Sequence, residues 1–314
     1  MPDVVTIGET MLRMSAPVGV PLEDASQLSV HAGGAESNVA IALSRLRTSA
    51  GWISRLTDNP IGRRIFNEVR GQGVDVSRVL WTRGDRVGTY FVEPGRAPRP
   101  NRVVYDRSGS AMAAINPDEV DWAYVRAAKV VHLTGITPSL SATCRELVGR
   151  AVREAKAAKV AVSFDINYRT RLWTAAAAAA ALAPLLSQVT VLISTAEDAQ
   201  VVFGIAGSAR AVAEALRARF PCEVVAVTDG AQFAAASAGP TVERGGYKVD
   251  VVDRIGAGDA FAAGFLHGYL ARDIQRGLDY GAALAALKHT YHGDAAWASA
   301  EEVAALIAGD TTWR

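Results

Sequence analysis

The chain has 314 residues, half of them hydrophobic, and its 33 basic and 32 acidic side chains leave a net charge of +1. That length calls for one large α/β domain with an appendage or for two domains, and the balanced charge gives no case for nucleic acid or an acidic membrane as partner. Two cysteines, Cys144 and Cys222, offer neither a disulfide framework nor a zinc pattern, and the start M-P-D-V-V-T-I-G has no basic region followed by a long apolar stretch. No run reaches the roughly 18 apolar residues of a membrane span, so a soluble cytoplasmic protein is expected.

Residues 4–7, V-V-T-I, are a short apolar run ended by Gly8-Glu9, the signal of a buried strand. In residues 11–31, Pro17, Gly19 and Pro21 separate strand-like fragments near 12–14 and 28–30. Val39, Leu43 and Leu46 then keep helical spacing, which places Gly33-Gly34 just before a helix. Residues 50–56 resemble a second strand. Asp58-Asn59-Pro60 caps a helix over 61–72, because proline suits a helix's first turn. Residues 87–93 and 102–107 are strand-like, and P-G-R-A-P-R-P-N between them cannot be helical. They read as a hairpin that joins the fragments near 12 and 30 in a small separate sheet.

From Lys129 the pattern becomes regular. Strands at 130–133, 160–164, 189–193 and 224–227 alternate with helices at 139–158, at 174–186 and up to Phe220, which means a mostly parallel sheet covered on both faces. Seven consecutive alanines, 175–181, read as helix propensity on an exposed segment without chemistry. Residues 232–237 and 242–247 look like an antiparallel edge. They lead into V-D-V-V-D-R-I-G-A-G-D-A-F-A-A-G at 249–264. This stretch reads as a strand-like run ending at Asp253, a turn of small residues, and an Ala-rich helix opened by Asp259. Further helices are expected to about 271, over 275–292 and near 300–308. Residues 1–314 are expected to form one domain, with no internal repeat or disordered linker.

The turn before Asp259 places backbone N–H groups at a helix N-terminus, where unpaired donors and the dipole attract an anion. Asp259 reads either as an N-cap or as a base that takes a hydroxyl proton while the cradle holds phosphate charge. Ligands of such sheets sit at the carboxyl ends of the strands. Glu9, His132 with Thr134, Asp165 to Arg169, residues 194–197, Thr228 to Gly230 and residues 253–259 all fall there, and this convergence favours the catalytic reading. The chain lacks the G-x-x-x-x-G-K-[ST] loop, the protein-kinase H-R-D and D-F-G, and a G-x-G-x-x-G after the first strand. His289, His292 and Asp294 read as solvated helix-end residues, since no third ligand completes a metal site.

At this point the chain resembles the ribokinase-like carbohydrate kinases over nearly its whole length. Two motifs carry the resemblance, G-G-A-E-S-N-V-A at 33–40 and D-R-I-G-A-G-D-A-F at 253–261. It implies a three-layer α/β/α sandwich with a mostly parallel central sheet and a small β-sheet lid, built here from segments near 12–32 and 86–108. It implies Asp259 as catalytic base, the amides of Gly256, Ala257 and Gly258 as anion hole, and ATP with Mg²⁺ as donor. Four segments are most similar to the 2-keto-3-deoxygluconate kinases: G-G-A-E-S-N, R-V-V-Y-D-R-S-G-S-A at 102–111, H-L-T-G-I-T at 132–137 and D-I-N-Y-R-T-R-L-W at 165–173. By that resemblance Gly34, Asn38, Tyr90, Tyr105, Arg107, Arg169 and Asp294 contact a sugar acid. Asn167, Ser194, Glu197, Thr228 and Gly230 lie on the nucleotide and metal side, with Glu197 reaching the metal through water. Three positions depart from the family pattern: Arg254 stands for Thr, Ser194 for Asn, and Phe233 for the second Gly of G-x-x-G.

A sugar acid brings a carboxylate, which the arginine fork binds directionally, and Arg107 and Arg169 are the candidates. Both compete with a surface role, Tyr90 and Tyr105 with plain packing, and His31 with lid packing. The expected activity is ATP-dependent phosphorylation of the primary hydroxyl of 2-keto-3-deoxygluconate. Rivals are a kinase for a neutral sugar or a related keto-deoxy acid, a non-catalytic sensor and, more remotely, a dinucleotide-dependent oxidoreductase. The lid's edges suggest a homodimer or higher oligomer.

Overall fold

The computed structural model describes residues 1–310 except Ala97, Ala231 and Ala238. Its strands are β1 (Val4–Ile7), β2 (Met11–Ser15), β3 (Ser29–Gly33), β4 (Ala50–Ile53), β5 (Arg55–Thr57), β6 (Leu80–Thr82), β7 (Thr89–Glu93), β8 (Arg102–Asp106), β9 (Val130–Thr134), β10 (Ala161–Asp165), β11 (Val191–Thr195), β12 (Val224–Asp229), β13 (Gln232–Ala236) and β14 (Val242–Gly245). Its helices are α1 (Ala35–Arg45), α2 (Pro60–Gly71), α3 (Trp122–Arg126), α4 (Thr137–Leu140), α5 (Ala142–Ala157), α6 (Ala175–Leu186), α7 (Ala196–Phe203), α8 (Ala209–Arg219), α9 (Ala257–Leu270), α10 (Ile274–Lys288) and α11 (Ala300–Ala308).

Eight strands form the main sheet in the order β14-β13-β12-β11-β10-β9-β1-β4. The pairs from β4 to β12 are parallel, and β13 and β14 close the edge antiparallel. Alternate residues of each strand enter two separate cores. Val4, Val130, Val191 and Val224 pack with α1, α2, α9 and α10, whereas Val5, Val131, Leu192 and Val225 pack with α5, α6 and α8 on the opposite face. This is the expected sandwich: continuous apolar runs on strands buried from both sides. The second sheet, β3-β2-β7-β8, is the expected small one, with the 87–107 hairpin antiparallel and β2 parallel to β7.

Four expectations need correction. Residues 249–253 are not a strand. Val251 and Val252 are exposed, and the N–H groups of Val252 and Asp253 donate to the His289 carbonyl at the end of α10, so the Val-rich run docks on a helix end. Residues 50–56 are two strands, β4 in the main sheet and β5 paired with β6. The helix over 139–158 is broken at Ser141, whose extended backbone and Oγ, accepting from the Cys144 N–H, cap α5. The alanine run is not wholly exposed, because Ala178 faces the core beside Leu182.

Helix α9 owes its position to small residues. A Cβ on Gly264 would lie 2.5 Å from the Gly281 nitrogen, and one on Gly268 2.2 Å from the Gly277 nitrogen. Helices α9 and α10 therefore meet backbone to backbone. Phe261 fixes the other side of α9, its ring 5.2 Å from that of Phe233.

Candidate active site

Gly256 caps α9 with φ 87°, in the left-handed region, and a Cβ there would lie 1.9 Å from the Asp294 carbonyl oxygen. Conformation and space both demand glycine. Ala257 turns its N–H toward the Arg254 carbonyl at 3.4 Å. Beyond the Gly258 Cα lies open space. The N–H groups of Gly258 and Asp259 are in the first helical turn, which has no helical acceptor. Asp259 is 8% exposed, and its Oδ2 accepts from the Asn38 Nδ2 at 2.7 Å. Burial pushes its carboxyl up to about 6, against the opposing pull of the Asn38 bond and the Arg169 charge.

Asn38 arrives because α1 starts where it does. A Cβ on Gly34 would meet the Glu9 carbonyl oxygen at 2.2 Å, and one on Gly33 the Tyr90 hydroxyl at 2.2 Å. The two glycines let α1 begin against the end of β1 and beneath the small sheet. Glu36, fully buried in the same turn, accepts from the hydroxyls of Thr134 and Thr137. Burial lifts its carboxyl to about 7 despite those bonds.

A cavity of about 900 Å³ opens between the small sheet and the carboxyl ends of the main strands. Of the residues singled out above, Gly34, Asn38, Tyr90, Tyr105, Arg107, Asn167, Arg169, Gly256, Gly258, Asp259 and Asp294 line it. Ala257, Ser194, Glu197, Thr228 and Gly230 do not. Ser194 is buried and donates to the Thr195 carbonyl at 2.7 Å. Glu197 is exposed on the first turn of α7, where Thr195 and Asp198 line the wall instead. Thr228 is half-buried and Gly230 is exposed, near the end of β12. The G-x-x-G comparison at 230–233 passes through Ala231, which lies outside the described residues.

One wall is rich in oxygen. Asp165, at the end of β10, is pushed well above the ordinary carboxylate range by burial and then by the charges of Asp198 and Asp259. Burial also raises Asp198, which accepts from the Tyr168 N–H at 3.2 Å. Asn167 adopts φ 38°, a left-handed conformation that asparagine tolerates. Its N–H and Nδ2 bond the Asp165 carboxyl, and its buried Oδ1 has no partner among the described residues. Among the described residues, no group of three or more His, Cys, Asp or Glu is placed to hold a metal directly.

The small sheet supplies the other wall. The rings of Tyr90 and Tyr105 stack at 5.7 Å, and the Tyr90 hydroxyl donates to Asp294. Arg107 spends its Nε and Nη2 on Glu9, with Nε 2.8 Å from Oε2. Arg169 is exposed and donates to the Tyr168 carbonyl at 3.1 Å. The sequence reading passed over Arg13, which is 2% exposed and bonded to both Asp253 and Asp294. Its one visible signal is a charged residue inside the apolar strand M-L-R-M-S. His132 is buried with its Nδ1 against Ser163 and, held near 3 by burial, stays neutral; it takes no place on the cavity wall.

A parallel-rich sandwich, a small sheet over its carboxyl edge and a buried aspartate at an open helix N-terminus define the sugar-kinase class. The comparisons agree. The chain is 43% identical to a 2-dehydro-3-deoxygalactonokinase of Haloferax volcanii over 98% of this chain and 97% of that protein. It is 35% identical to a 2-dehydro-3-deoxygluconokinase of Thermoproteus tenax, over 94% and 90%. A solved 2-dehydro-3-deoxygluconokinase from Thermotoga maritima superposes with a TM-score of 0.93, at 33% identity and covering 98% of each chain. Residues 1–301 match the pfkB family of carbohydrate kinases, and the chain belongs to that family.

Proposed function

We propose that this kinase transfers the γ-phosphoryl group of ATP to the terminal primary hydroxyl of a 2-keto-3-deoxy sugar acid, giving the 6-phosphate of 2-keto-3-deoxygluconate or of its C4 epimer, the galactonate. The observation that carries the reading is Asp259, a buried carboxylate poised near 6 at the open N-terminus of α9. A base with that pKa is ionised at neutral pH and still basic enough to accept a hydroxyl proton.

The sugar hydroxyl sits between Asp259 and the γ-phosphorus. As the new O–P bond forms, the proton passes to the Asp259 carboxylate and the bond to ADP breaks. The N–H groups at the start of α9 meet the charge gathering on the transferred group. Asn38 fixes the carboxylate's orientation. Asp165, Asp198 and the unpartnered Asn167 Oδ1 are hard oxygen donors, and they fit a hydrated Mg²⁺ held largely through its own waters. Such an ion, when bound, neutralises phosphate charge. Glu197, Thr228 and Ser194 lie further along the same sheet edge, on the path toward the nucleotide base.

The substrate carboxylate is assigned to Arg169 and to the end of Arg107 that Glu9 leaves free. Tyr90 and Tyr105 cover the sugar's carbon chain from the small sheet. We read residues 1–314 as one domain whose small sheet closes over the site as a lid and excludes water. Val103 and Tyr105 of β8 face the cavity, so the exposed Val104 is on the outer face; it favours pairing of lids between two copies, and a cytoplasmic location is part of the same proposal. The test is ATP consumption measured with keto-deoxy sugar acids and with neutral fructose and ribose, alongside an Arg169→Ala variant. Turnover confined to acids, and lost on acids in the variant, is expected; preference for a neutral sugar would overturn the substrate assignment.

A further inference from the structure

We infer that Arg13 is a positioning residue of the phosphoryl-transfer site, locking the small sheet to the loop that presents the N-terminus of α9. The inference rests on the kinase reading above. Arg13 lies in the middle of β2, in register with His31 of β3 and Tyr90 of β7. Every nitrogen of its guanidinium is used. Nε donates to Ser15 Oγ at 2.7 Å, Nη1 to Asp294 Oδ1 at 2.6 Å and Nη2 to Asp253 Oδ2 at 2.6 Å.

The two carboxylates lead to different parts of the site. Asp253 Oδ1 accepts from the Ile255 N–H at 3.1 Å, which fixes the backbone immediately before Gly256. Its Oδ2 also accepts from the Gly293 N–H at 3.2 Å, and the buried Lys288 reaches its carbonyl at 3.3 Å. Asp294 faces the cavity, receives the Tyr90 hydroxyl, and sets its own carbonyl against Gly256. One side chain of the small sheet therefore holds the donor loop of α9 from one side and a sugar-facing carboxylate from the other. A planar fork satisfies two carboxylates at fixed angles, and lysine's single ammonium cannot. A change of side chain here shifts the first turn of α9 and Asp294 together, though Arg13 is absent from the cavity wall.

A second, smaller cavity of about 340 Å³ reaches Arg13 from the opposite side, between Ser15, His31 and His292. It gives a small cation access to this position. The experiment compares Arg13→Lys and Arg13→Ala with the wild-type enzyme, measuring kcat, the KM values for sugar acid and for ATP, and the melting temperature. Arg13→Lys is expected to stay folded and to lose roughly 10²-fold in kcat/KM for the sugar, the scale of a misplaced site, while the KM for ATP changes little. Arg13→Ala is expected to regain turnover in a saturable way with added guanidinium, which leaves the wild type unaffected. Lysine turnover near the wild-type level, or an alanine variant whose activity merely follows its folded fraction and ignores guanidinium, overturns the assignment. Absence of sugar-dependent ATP turnover in the wild type would instead remove the kinase reading beneath it.

Discussion

Replacing Asp259 by Asn should abolish most activity and make the protein more stable, and the second effect can be worked from the structure. Burial lifts the Asp259 carboxyl from its ordinary 3.8 to about 6. A group whose pKa rises on folding is held more comfortably when protonated, so stability is highest at acid pH and is lost as pH rises through the interval from 3.8 to 6. The full penalty is present above 6 and amounts to about 3 kcal/mol. That pKa already includes whatever favours the charged form, so the gain from a neutral, isosteric amide is about 3 kcal/mol. With an unfolding entropy of about 2.1 cal/mol/K per residue, a chain of this size should melt roughly 5 °C higher. The assay is thermal unfolding of both proteins at pH 7.5 and pH 4.5, with turnover measured at the higher pH. The gap should be largest at pH 7.5 and shrink to about a third of that at pH 4.5, and turnover should fall by ~10²–10⁴. An Asn variant that melts lower at pH 7.5 would make Asp259 a structural cap, and near-wild-type turnover would remove it as the base.

The same ionisation sets the pH profile: kcat/KM for the sugar should fall about tenfold per pH unit below about 6, and the residual activity of Asp259→Asn should lack that inflection. Gly256→Ala should lower both stability and turnover, since it adds left-handed strain of order 1–3 kcal/mol to a Cβ that meets a backbone oxygen. Gly258→Ala, facing open space, should melt no lower than the wild type, and equal damage from the two substitutions would refute the geometry assigned to that turn.

The parallel sheet was legible because strands buried on both faces read as near-continuous apolar runs: 224–227 is apolar throughout, and 130–133 and 189–193 are broken only by His132 and Thr190. The site was legible because its glycines are forced: Gly33, Gly34 and Gly256 each stand where a Cβ would strike backbone or a side chain. The run at 249–253 misled, since a Val-rich segment reads alike whether its N–H groups bond a strand or, as here, the end of α10. Arg13 was hidden for a related reason. An arginine in a short strand looks outward-facing until two loop carboxylates, from residues 253 and 294, are brought against it. Ser194, Glu197, Thr228 and Gly230 came from resemblance to a family pattern, and pattern alone does not say which neighbours reach the cavity wall. Asp198 does so where Glu197 does not.

Identifying the product tests the central claim most directly. The protein is incubated with ATP and 2-keto-3-deoxygluconate or its galactonate epimer, and the phosphorylated product is located by ³¹P and ¹³C NMR. The account predicts one new phosphomonoester on the terminal primary hydroxyl and one ADP for each ester formed. ADP release without an ester, or phosphate at a ring or secondary hydroxyl, would contradict it.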